Sequence, residues 1–270
     1  MKQLFATAAL FTAVAMTASA ATPPAGYVNF VACPVVRDTA KVPCWTGRYK
    51  GETYFIGIQE DIGADWYPPQ LNHKMLVEGQ VSKEPRICGG LVLKPNKVSV
   101  LPEVDKSCNT ILPAGGYKVE GERGTGPSGV KPADPSKPTA PPARGAPPPP
   151  AAALQAPYQA RTFDVPFDFD GEYMFIRTTA IVGQATRYAD TIKAKKVLVV
   201  GYRGQTLLSD GTAFTEKPDI AERRAKKVAL ALKDTGVPAT NLEIRWKTEP
   251  EASNGVDDFK RRRVTVTVQP

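Results

Sequence analysis

Histidine is nearly absent from this sequence, which has a single one, His73, among 270 residues. The sequence also lacks a Gly-x-Ser-x-Gly nucleophile elbow and a Walker lysine, and its four cysteines form no Cys-x-x-Cys pair. Enzymes of the common classes need a nucleophile beside a base, and zinc sites need closely spaced cysteine and histidine ligands. These absences argue against an enzyme, and we expect neither a cofactor nor a bound metal. His73 is expected to be a structural or surface histidine.

Long apolar runs are missing beyond the first twenty residues. Within those twenty, Lys2 precedes an apolar stretch from Leu4 to Met16 and the small-residue triplet Ala18-Ser19-Ala20. This order is typical of a secretory signal peptide, so we predict that residues 1–20 are removed after Ala20. A membrane-spanning helix needs about 20 consecutive apolar residues. We therefore predict an exported protein of the periplasm or outer cell envelope, without a transmembrane segment in its mature part.

Cysteine occurs only in the N-terminal part, as Cys33, Cys44, Cys88 and Cys108. An even number in an exported protein indicates two disulfides, in preference to zinc binding or free thiols. Three pairings are open. We expect Cys33–Cys44 with Cys88–Cys108, because each of these bridges closes a local loop.

Residues 21–120 have the composition of a small all-β domain. Short segments rich in β-branched and aromatic residues, such as Lys74–Val81, are separated by Gly, Pro and Asn. The pattern predicts a disulfide-linked barrel or sandwich, with an OB-like barrel as the first choice. A set of aromatic residues is expected to lie in its core or else to form a binding face: Trp45, Tyr49, Tyr54, Phe55, Trp66 and Tyr67.

Proline dominates the segment that follows. Eleven of the 31 residues from position 127 to position 157 are proline, and apolar residues other than alanine are almost missing. Such a composition cannot bury a core. We predict a solvated Pro/Ala-rich linker over residues 121–159, which joins the all-β domain to a second domain at residues 160–270.

The second domain contains four strand signals and two helix signals. Phe163–Phe169 alternates apolar and polar residues, and Pro166 favours an edge position. Val197–Val200 is an unbroken apolar run, typical of a strand buried on both faces. Two further strands are predicted near residues 242–246 and 263–268. With the helices between them, these signals predict a β-α-β-α-β-β fold, a mixed sheet with both helices on one face.

Both helices have recognisable bounds. The first is predicted from Ile176 to Lys193, where apolar residues recur at helical spacing. In the second, Asp219 can cap the free N–H groups, and Glu222 can complete a capping box three residues later. Gly236 supplies the C-terminal stop.

Several motifs of the second domain occur in the order seen in a known family. The second helix begins Ile220-Ala221-Glu222-Arg223-Arg224-Ala225, Gly236-Val237-Pro238-Ala239 follows it, and Arg261-Arg262-Arg263-Val264 opens the last strand. These segments resemble the Leu-Ser-x-x-Arg-Ala helix start, the helix exit and the closing Asn-Arg-Arg-Val strand of the OmpA-like peptidoglycan-binding domain, of the OmpA C-terminal or MotB type. The resemblance covers residues 163–268. It implies a non-enzymatic protein that attaches to peptidoglycan, leaving the N-terminal domain free for an envelope protein partner.

The same resemblance implies a binding site. Arg224 falls on the family's ligand-binding arginine, which would hold a carboxylate of the peptidoglycan stem peptide, and Arg262 is a further candidate. The family's Thr-Asp pair is Arg203-Gly204 here, so the aspartate that meets the ligand's ammonium group is missing. We predict that Asp210, or else Asp219, supplies this acid from a loop longer than usual. Either acid is also a candidate for pairing with Arg224 internally.

The loss of the Thr-Asp pair favours an alternative function. In this alternative the chain is a structural subunit of an envelope assembly or surface appendage, and its OmpA-like domain contacts protein without binding peptidoglycan. The net charge of +8 suits the anionic polymers of the envelope. Nucleic acid is not an expected partner of an exported protein.

Overall fold

The computed structural model describes residues 22–39, 42–58, 69–116 and 156–270. The predicted signal peptide and nearly all of the predicted linker lie outside these ranges, so both stay predictions. Among the helices of the described ranges, none has the length and apolar character that crossing a membrane requires.

The described N-terminal residues form seven strands that pair in one sheet. The strands are β1 (Tyr27–Ala32), β2 (Pro34–Arg37), β3 (Cys44–Tyr49), β4 (Glu52–Ile58), β5 (His73–Val81), β6 (Leu91–Val104) and β7 (Thr110–Leu112). Their order across the sheet is β1-β5-β6-β4-β3-β2-β7. The described N-terminal residues form strands and no helix, as predicted. The OB-like barrel stays a prediction.

Aromatic side chains fill the core of this sheet. Trp45 and Tyr54 are each only 7% exposed and pack with Phe30 in one apolar cluster. These two aromatic residues are therefore core residues and do not form an exposed binding face. Trp66 and Tyr67, which belong to the same predicted set, lie outside the described residues.

The two disulfides join Cys33 to Cys108 and Cys44 to Cys88. Two bridges and no free cysteine are as predicted, but the local pairing Cys33–Cys44 with Cys88–Cys108 is wrong. Strand order is the reason, because it brings distant parts of the chain together. β2, which begins directly after Cys33, pairs in parallel with β7, which begins two residues after Cys108. The Cα atoms of Cys33 and Cys108 are thus 4.8 Å apart, within disulfide reach.

The C-terminal domain contains a four-stranded sheet, a separate hairpin and two helices. Its elements are β8 (Arg161–Pro166), α1 (Ile176–Ile192), β9 (Lys196–Gly201), β10 (Gln205–Leu207), β11 (Ala213–Thr215), α2 (Ile220–Asp234), β12 (Leu242–Trp246) and β13 (Arg263–Gln269). The sheet order is β12-β9-β13-β8, with β12 parallel to β9 and the other pairs antiparallel. This is the predicted β-α-β-α-β-β order with the hairpin β10-β11 inserted, and β8 lies at the predicted edge.

Both helices pack on one face of this sheet, as predicted. Val197 and Val199 of β9 are fully buried and share one apolar core with Val228 and Leu232 of α2. The alternate residue Leu198 is only partly buried. The prediction that this strand is buried on both faces is wrong, because the helices cover a single face.

The N-terminal cap of α2 also differs from the prediction. Asp219 occupies the N-cap position without a side-chain hydrogen bond to the first turn. Its carboxylate lies 3.2 Å from Arg223 Nε, and Glu222 pairs with Lys226 at 2.6 Å. Ion pairs one turn along the helix therefore replace the capping box. At the other end, Gly236 has a φ of 117°, which glycine tolerates and which ends the helix as predicted.

The two domains are packed against each other. Leu76 of β5 and Leu101 of β6 share an apolar cluster with Phe169 and Leu208 of the C-terminal domain. Phe169 also stacks on Phe214 of β11, with ring centres 4.5 Å apart. The interface therefore joins the β5-β6 part of the N-terminal sheet to the hairpin β10-β11 and to the segment after β8.

Candidate functional site

Two buried arginines lie at the end of the C-terminal sheet that faces the N-terminal domain. Arg224 belongs to the second turn of α2, and Arg262 directly precedes β13. Both are 0% exposed. A guanidinium group stays charged in proteins, so its burial requires acceptors for its N–H groups. The acceptors of each arginine therefore decide what the site can bind.

Arg224 is held by one carboxylate and three backbone carbonyls. Its Nη1 and Nη2 donate to the Glu216 carboxylate at 3.0 and 2.5 Å. Nε donates to Gly171 O at 2.8 Å, Nη2 to Asp168 O at 2.7 Å and Nη1 to Tyr202 O at 3.3 Å. A guanidinium has five N–H donors, and these contacts use all of them. Arg224 therefore has no donor left for a ligand in this arrangement.

Glu216, the carboxylate that holds Arg224, also accepts hydrogen bonds from two backbone N–H groups. Its Oε2 accepts a hydrogen bond from Gly204 N–H at 2.7 Å, and its Oε1 accepts one from Asp170 N–H at 2.9 Å. Glu216 is 1% exposed. Gly204 stands where the family has aspartate, and a Cβ there would lie 3.1 Å from Arg262 Cγ. The Glu216 carboxylate, from the loop before α2, is therefore fully occupied by Arg224 and by backbone groups.

Arg262 is held across the domain interface. Its Nη2 and Nη1 donate to the Glu78 carboxylate of β5 at 2.5 and 3.2 Å. Nη1 also donates to Thr206 Oγ1 at 3.0 Å, and that hydroxyl donates to Glu78 at 2.9 Å. Burial opposes the charge of Arg262, but the Glu78 carboxylate outweighs it and raises the pKa of this guanidinium. The N-terminal domain therefore places a carboxylate on the second arginine of the site.

Lys97 and Asp168 form an ion pair between the domains beside Arg224. The Asp168 carboxylate lies 2.5 Å from Lys97 Nζ of β6, while its backbone carbonyl accepts from Arg224. Both side chains of this ion pair are largely buried, 14% and 10% exposed. Docking therefore adds a second, largely buried ion pair between the domains, at the residue whose backbone carbonyl accepts from Arg224.

The hairpin β10-β11 is the longer loop noticed in the sequence, and it carries much of this interface. Asn29 Nδ2 donates to Leu207 O and to Gly255 O, each at 2.9 Å. Asn29 N–H donates to Ser209 Oγ at 2.9 Å. Because Thr206 of the same hairpin contacts Glu78, the lengthened loop is a docking element for the N-terminal domain.

The other predicted site residues lie apart from these contacts. Asp210 is exposed, and the hydrogen bond from Thr212 N–H at 2.9 Å lowers its pKa. Asp219 is paired with Arg223. Since Glu216 occupies Arg224, the internal pairing of Arg224 with Asp210 or Asp219 is wrong. Their role toward a ligand stays a prediction. Within the described ranges, no group of three or more Asp, Glu, His or Cys side chains is arranged to hold a metal.

The sequence reasoning missed both acids of the site, Glu78 and Glu216. Glu78 does leave a signal, because it interrupts the strand segment Met75–Val77 and Gly79 with a charge where apolar residues prevail. Charged residues are rarely buried unless paired, so its position predicts a buried partner. Glu216 stands in a polar loop, where nothing in the sequence distinguishes it from its neighbours.

No family model matches the sequence, and no curated protein matches it. Solved structures do match part of the chain. The OmpA-like domain of FopA1 from Francisella tularensis is 15% identical with a TM-score of 0.33, over 41% of this chain and 73% of that one. The C-terminal domain of Helicobacter pylori MotB is 17% identical with a TM-score of 0.33, over 40% and 84%. The peptidoglycan-associated lipoprotein from Burkholderia pseudomallei is 19% identical with a TM-score of 0.31, over 39% and 88%.

These similarities concern the fold alone. The strand and helix order predicted for the C-terminal domain is the order that the structure has, and solved OmpA-like domains are among the structures to which this part of the chain is similar.

Proposed function

We propose that this chain is a non-enzymatic envelope protein whose OmpA-like domain serves as a protein-contact module, with the N-terminal domain of the same chain as its first partner. The observation that carries this proposal is the buried pair between Arg262 and Glu78. A carboxylate of the N-terminal domain occupies Arg262, which the family resemblance makes a further candidate for ligand binding beside Arg224. The site thus works as a docking site for protein.

The free energies involved favour this function over a peptidoglycan site at Arg224. A charge-assisted hydrogen bond to a ligand contributes about 1.5–3 kcal/mol. Depriving a buried ion of its partner costs about 3–5 kcal/mol. A stem-peptide carboxylate that displaced Glu216 from Arg224 would leave Glu216 buried and unpaired. The exchange at Arg224 is therefore unfavourable.

A second candidate is attachment to peptidoglycan after the domains separate. Glu78 makes the same two-point contact with Arg262 that a ligand carboxylate would make, and it leaves together with the N-terminal domain. The OmpA-like fold, and the peptidoglycan-associated lipoprotein among the similar structures, support keeping this candidate. In it, the docked form is the closed form of the wall-binding site, and the N-terminal domain becomes free for an envelope partner.

Sedimentation of the full chain with purified murein sacculi separates the two functions. We expect the wild-type chain to stay in the supernatant. Glu78→Gln, which weakens the closed form, should stay there too if the domain only contacts protein, and should pellet if separation opens a wall site. A wild-type chain that pellets, and that Arg224→Ala releases, would contradict the protein-contact function. Repeating the assay in about 1 M salt, where the Debye length is about 3 Å, identifies retention by basic surface alone.

Export to the periplasm or outer envelope is part of the same proposal. The signal-like order of residues 1–20 supports it. The two disulfides support it as well, because such bridges persist in oxidising compartments.

We also propose that the N-terminal sheet closes into a small OB-like barrel. β1 and β2 are separated by Cys33 alone, β1 pairs with β5, and β2 pairs with β3. One nearly continuous strand thus pairs with two strands that lie far apart in the sheet order, which supports closure.

A further inference from the structure

Strand β12 is an open edge of the C-terminal sheet, since β9 is its only neighbour among the described strands. Lys247 N–H, just after β12, donates to Gly201 O of β9 at 2.9 Å. Backbone groups alternate in direction along a strand. The N–H and C=O groups of Leu242, Ile244 and Trp246 therefore point away from β9, toward the open side.

Apolar side chains accompany this edge. Ile244 and Trp246 are 40% and 39% exposed, and Leu230 of α2 is 56% exposed. Lys226 Nζ lies 5.8 Å from the centre of the Trp246 ring, and Leu230 follows Lys226 by one helical turn on the same side of α2. An unpaired strand edge beside exposed apolar side chains is typical of a surface that pairs with another strand.

We propose that β12 pairs with β12 of a second copy of this chain, antiparallel, about a two-fold axis at Ile244. In that register Glu243 of each copy faces Arg245 of the other, and Leu242 of each faces Trp246 of the other. The two Ile244 residues face each other. A two-fold interface has to be complementary to itself, and the strand sequence Leu-Glu-Ile-Arg-Trp meets that condition.

The backbone supports the same register. Residues directly opposite in an antiparallel pair exchange two hydrogen bonds where their N–H and C=O groups face each other. Leu242, Ile244 and Trp246 all have outward-facing groups, and the proposed register places these three opposite one another. Pairing would thus satisfy every outward group of β12 and extend the sheet from four strands across both copies.

The charges of β12 favour a second copy of this chain as the pairing partner, in one register. A shift of two residues in one direction places Arg245 opposite Arg245, and a shift in the other direction places Glu243 opposite Glu243. Like charges directly opposite destabilise a strand pair. The register centred on Ile244 is the one that joins opposite charges while keeping the outward groups paired. Within one copy, Glu243 already pairs with Arg245 and with Lys196. In the dimer, each Glu243 would have Arg245 of the other copy as a further cationic neighbour.

Charge exchange tests the proposal in the full chain by sedimentation velocity over a range of concentrations. The wild-type chain should dimerise as concentration rises. Glu243→Arg alone places like charges opposite each other on both sides of Ile244, and so does Arg245→Glu. Each should raise the dissociation constant about tenfold to a hundredfold. A mixture of these two variants should form a heterodimer, and the double variant should recover the homodimer.

Ile244→Pro gives an independent test and Glu84→Arg a control. Proline at 244 removes an outward N–H without touching the hydrogen bonds to β9, and edge strands tolerate proline. The variant should be monomeric with an unchanged circular dichroism spectrum. Glu84, an exposed residue of the N-terminal domain paired with Lys94, should have no effect when changed. A wild-type chain that stays monomeric at every concentration would overturn the proposal, and so would a dimer that survives both Ile244→Pro and Glu243→Arg.

Discussion

The two buried arginines of the C-terminal domain are closed off in different ways. Arg224 is paired with Glu216, eight residues earlier in the same domain. Arg262 is paired with Glu78, 184 residues away in the other domain. The first pair forms whenever the C-terminal domain folds, whereas the second forms only when the two domains dock. Arg224 is therefore occupied by an acid of its own domain, whereas Arg262 is occupied only when the N-terminal domain is docked.

The two arginines also differ in the number of hydrogen-bond acceptors around them. Arg224 has acceptors for all five of its donors, four of the contacts lying between 2.5 and 3.0 Å. Arg262 has the Glu78 carboxylate and the Thr206 hydroxyl, while its Nε has no hydrogen-bond partner among the described residues. The arginine that the domain closes by itself is thus held more completely than the one closed by its neighbour.

The largest expected effect is on the pair inside the domain. Arg224→Ala leaves Glu216 buried without a cation, and removing one partner of a buried pair costs about 3–5 kcal/mol. We expect the free energy of unfolding of the C-terminal domain to fall by that amount. Urea titration of the full chain, followed by helical circular dichroism, measures this, because both long helices of the described residues belong to that domain.

Arg223 is the matched control for that measurement, since it neighbours Arg224 but has a side chain that is 41% exposed. Arg223→Ala breaks a surface pair with Asp219 and should cost less than about 1 kcal/mol. Equal losses for the two substitutions would show that burial of the Arg224 pair does not matter. Replacing Arg224 and Glu216 together with apolar residues of similar size should recover part of the stability.

Breaking the Glu78–Arg262 pair between the domains should have a smaller effect, and we expect it in the hairpin β10-β11. Glu78→Gln keeps the size of the side chain but removes the charge opposite Arg262, which weakens docking by about 1.5–3 kcal/mol. Amide hydrogen exchange in the hairpin β10-β11 should become at least about tenfold faster, since 1.4 kcal/mol is a factor of ten. Exchange in α2 should stay nearly unchanged.

Glu84→Gln, which removes an exposed N-terminal charge paired with Lys94, should leave the hairpin as protected as in the wild-type chain. If Glu78→Gln speeds exchange in α2 as much as in the hairpin, docking and folding are one event. The distinction between the two arginines would then be wrong.

Local signals explain why the C-terminal fold was predictable. The helical spacing before Ile192 and the glycine at position 236 act within a few residues, and the structure follows them. Contacts between distant segments were not predictable in this way. The cysteine pairing depends on the order of strands in the sheet, and the assignment of Cys33 to Cys44 failed because it considered distance along the chain alone.

The acids of the site illustrate the same limit. The sequence points to Asp210 and Asp219 because they lie in, and at the end of, the long loop that follows Arg203-Gly204. Glu216 reaches that arginine because the loop folds back as the hairpin β10-β11, which ends directly before it. Glu78 is therefore the residue whose role required knowledge of docking, although its isolated charge in an apolar strand was visible.

The smallest expected effect concerns pH and a third contact between the domains. Glu103 of β6 pairs with Lys217, and the hydrogen bond from Lys217 holds the pKa of Glu103 below its ordinary value of 4.5. A carboxyl group whose pKa is lowered in the docked form stabilises docking at any pH above its ordinary pKa. This contribution is lost as the pH falls through the lowered pKa. The Glu103 side chain is 62% exposed and the Lys217 side chain 47%, so solvent reduces the effect to well below about 1 kcal/mol. Hairpin exchange, corrected for its intrinsic pH dependence, should therefore show a small extra loss of protection in acid that Glu103→Gln lacks. Identical acid profiles for the wild-type chain and Glu103→Gln would mean that this pair contributes nothing to docking, leaving Glu78 and Asp168 as the acids that hold the domains together.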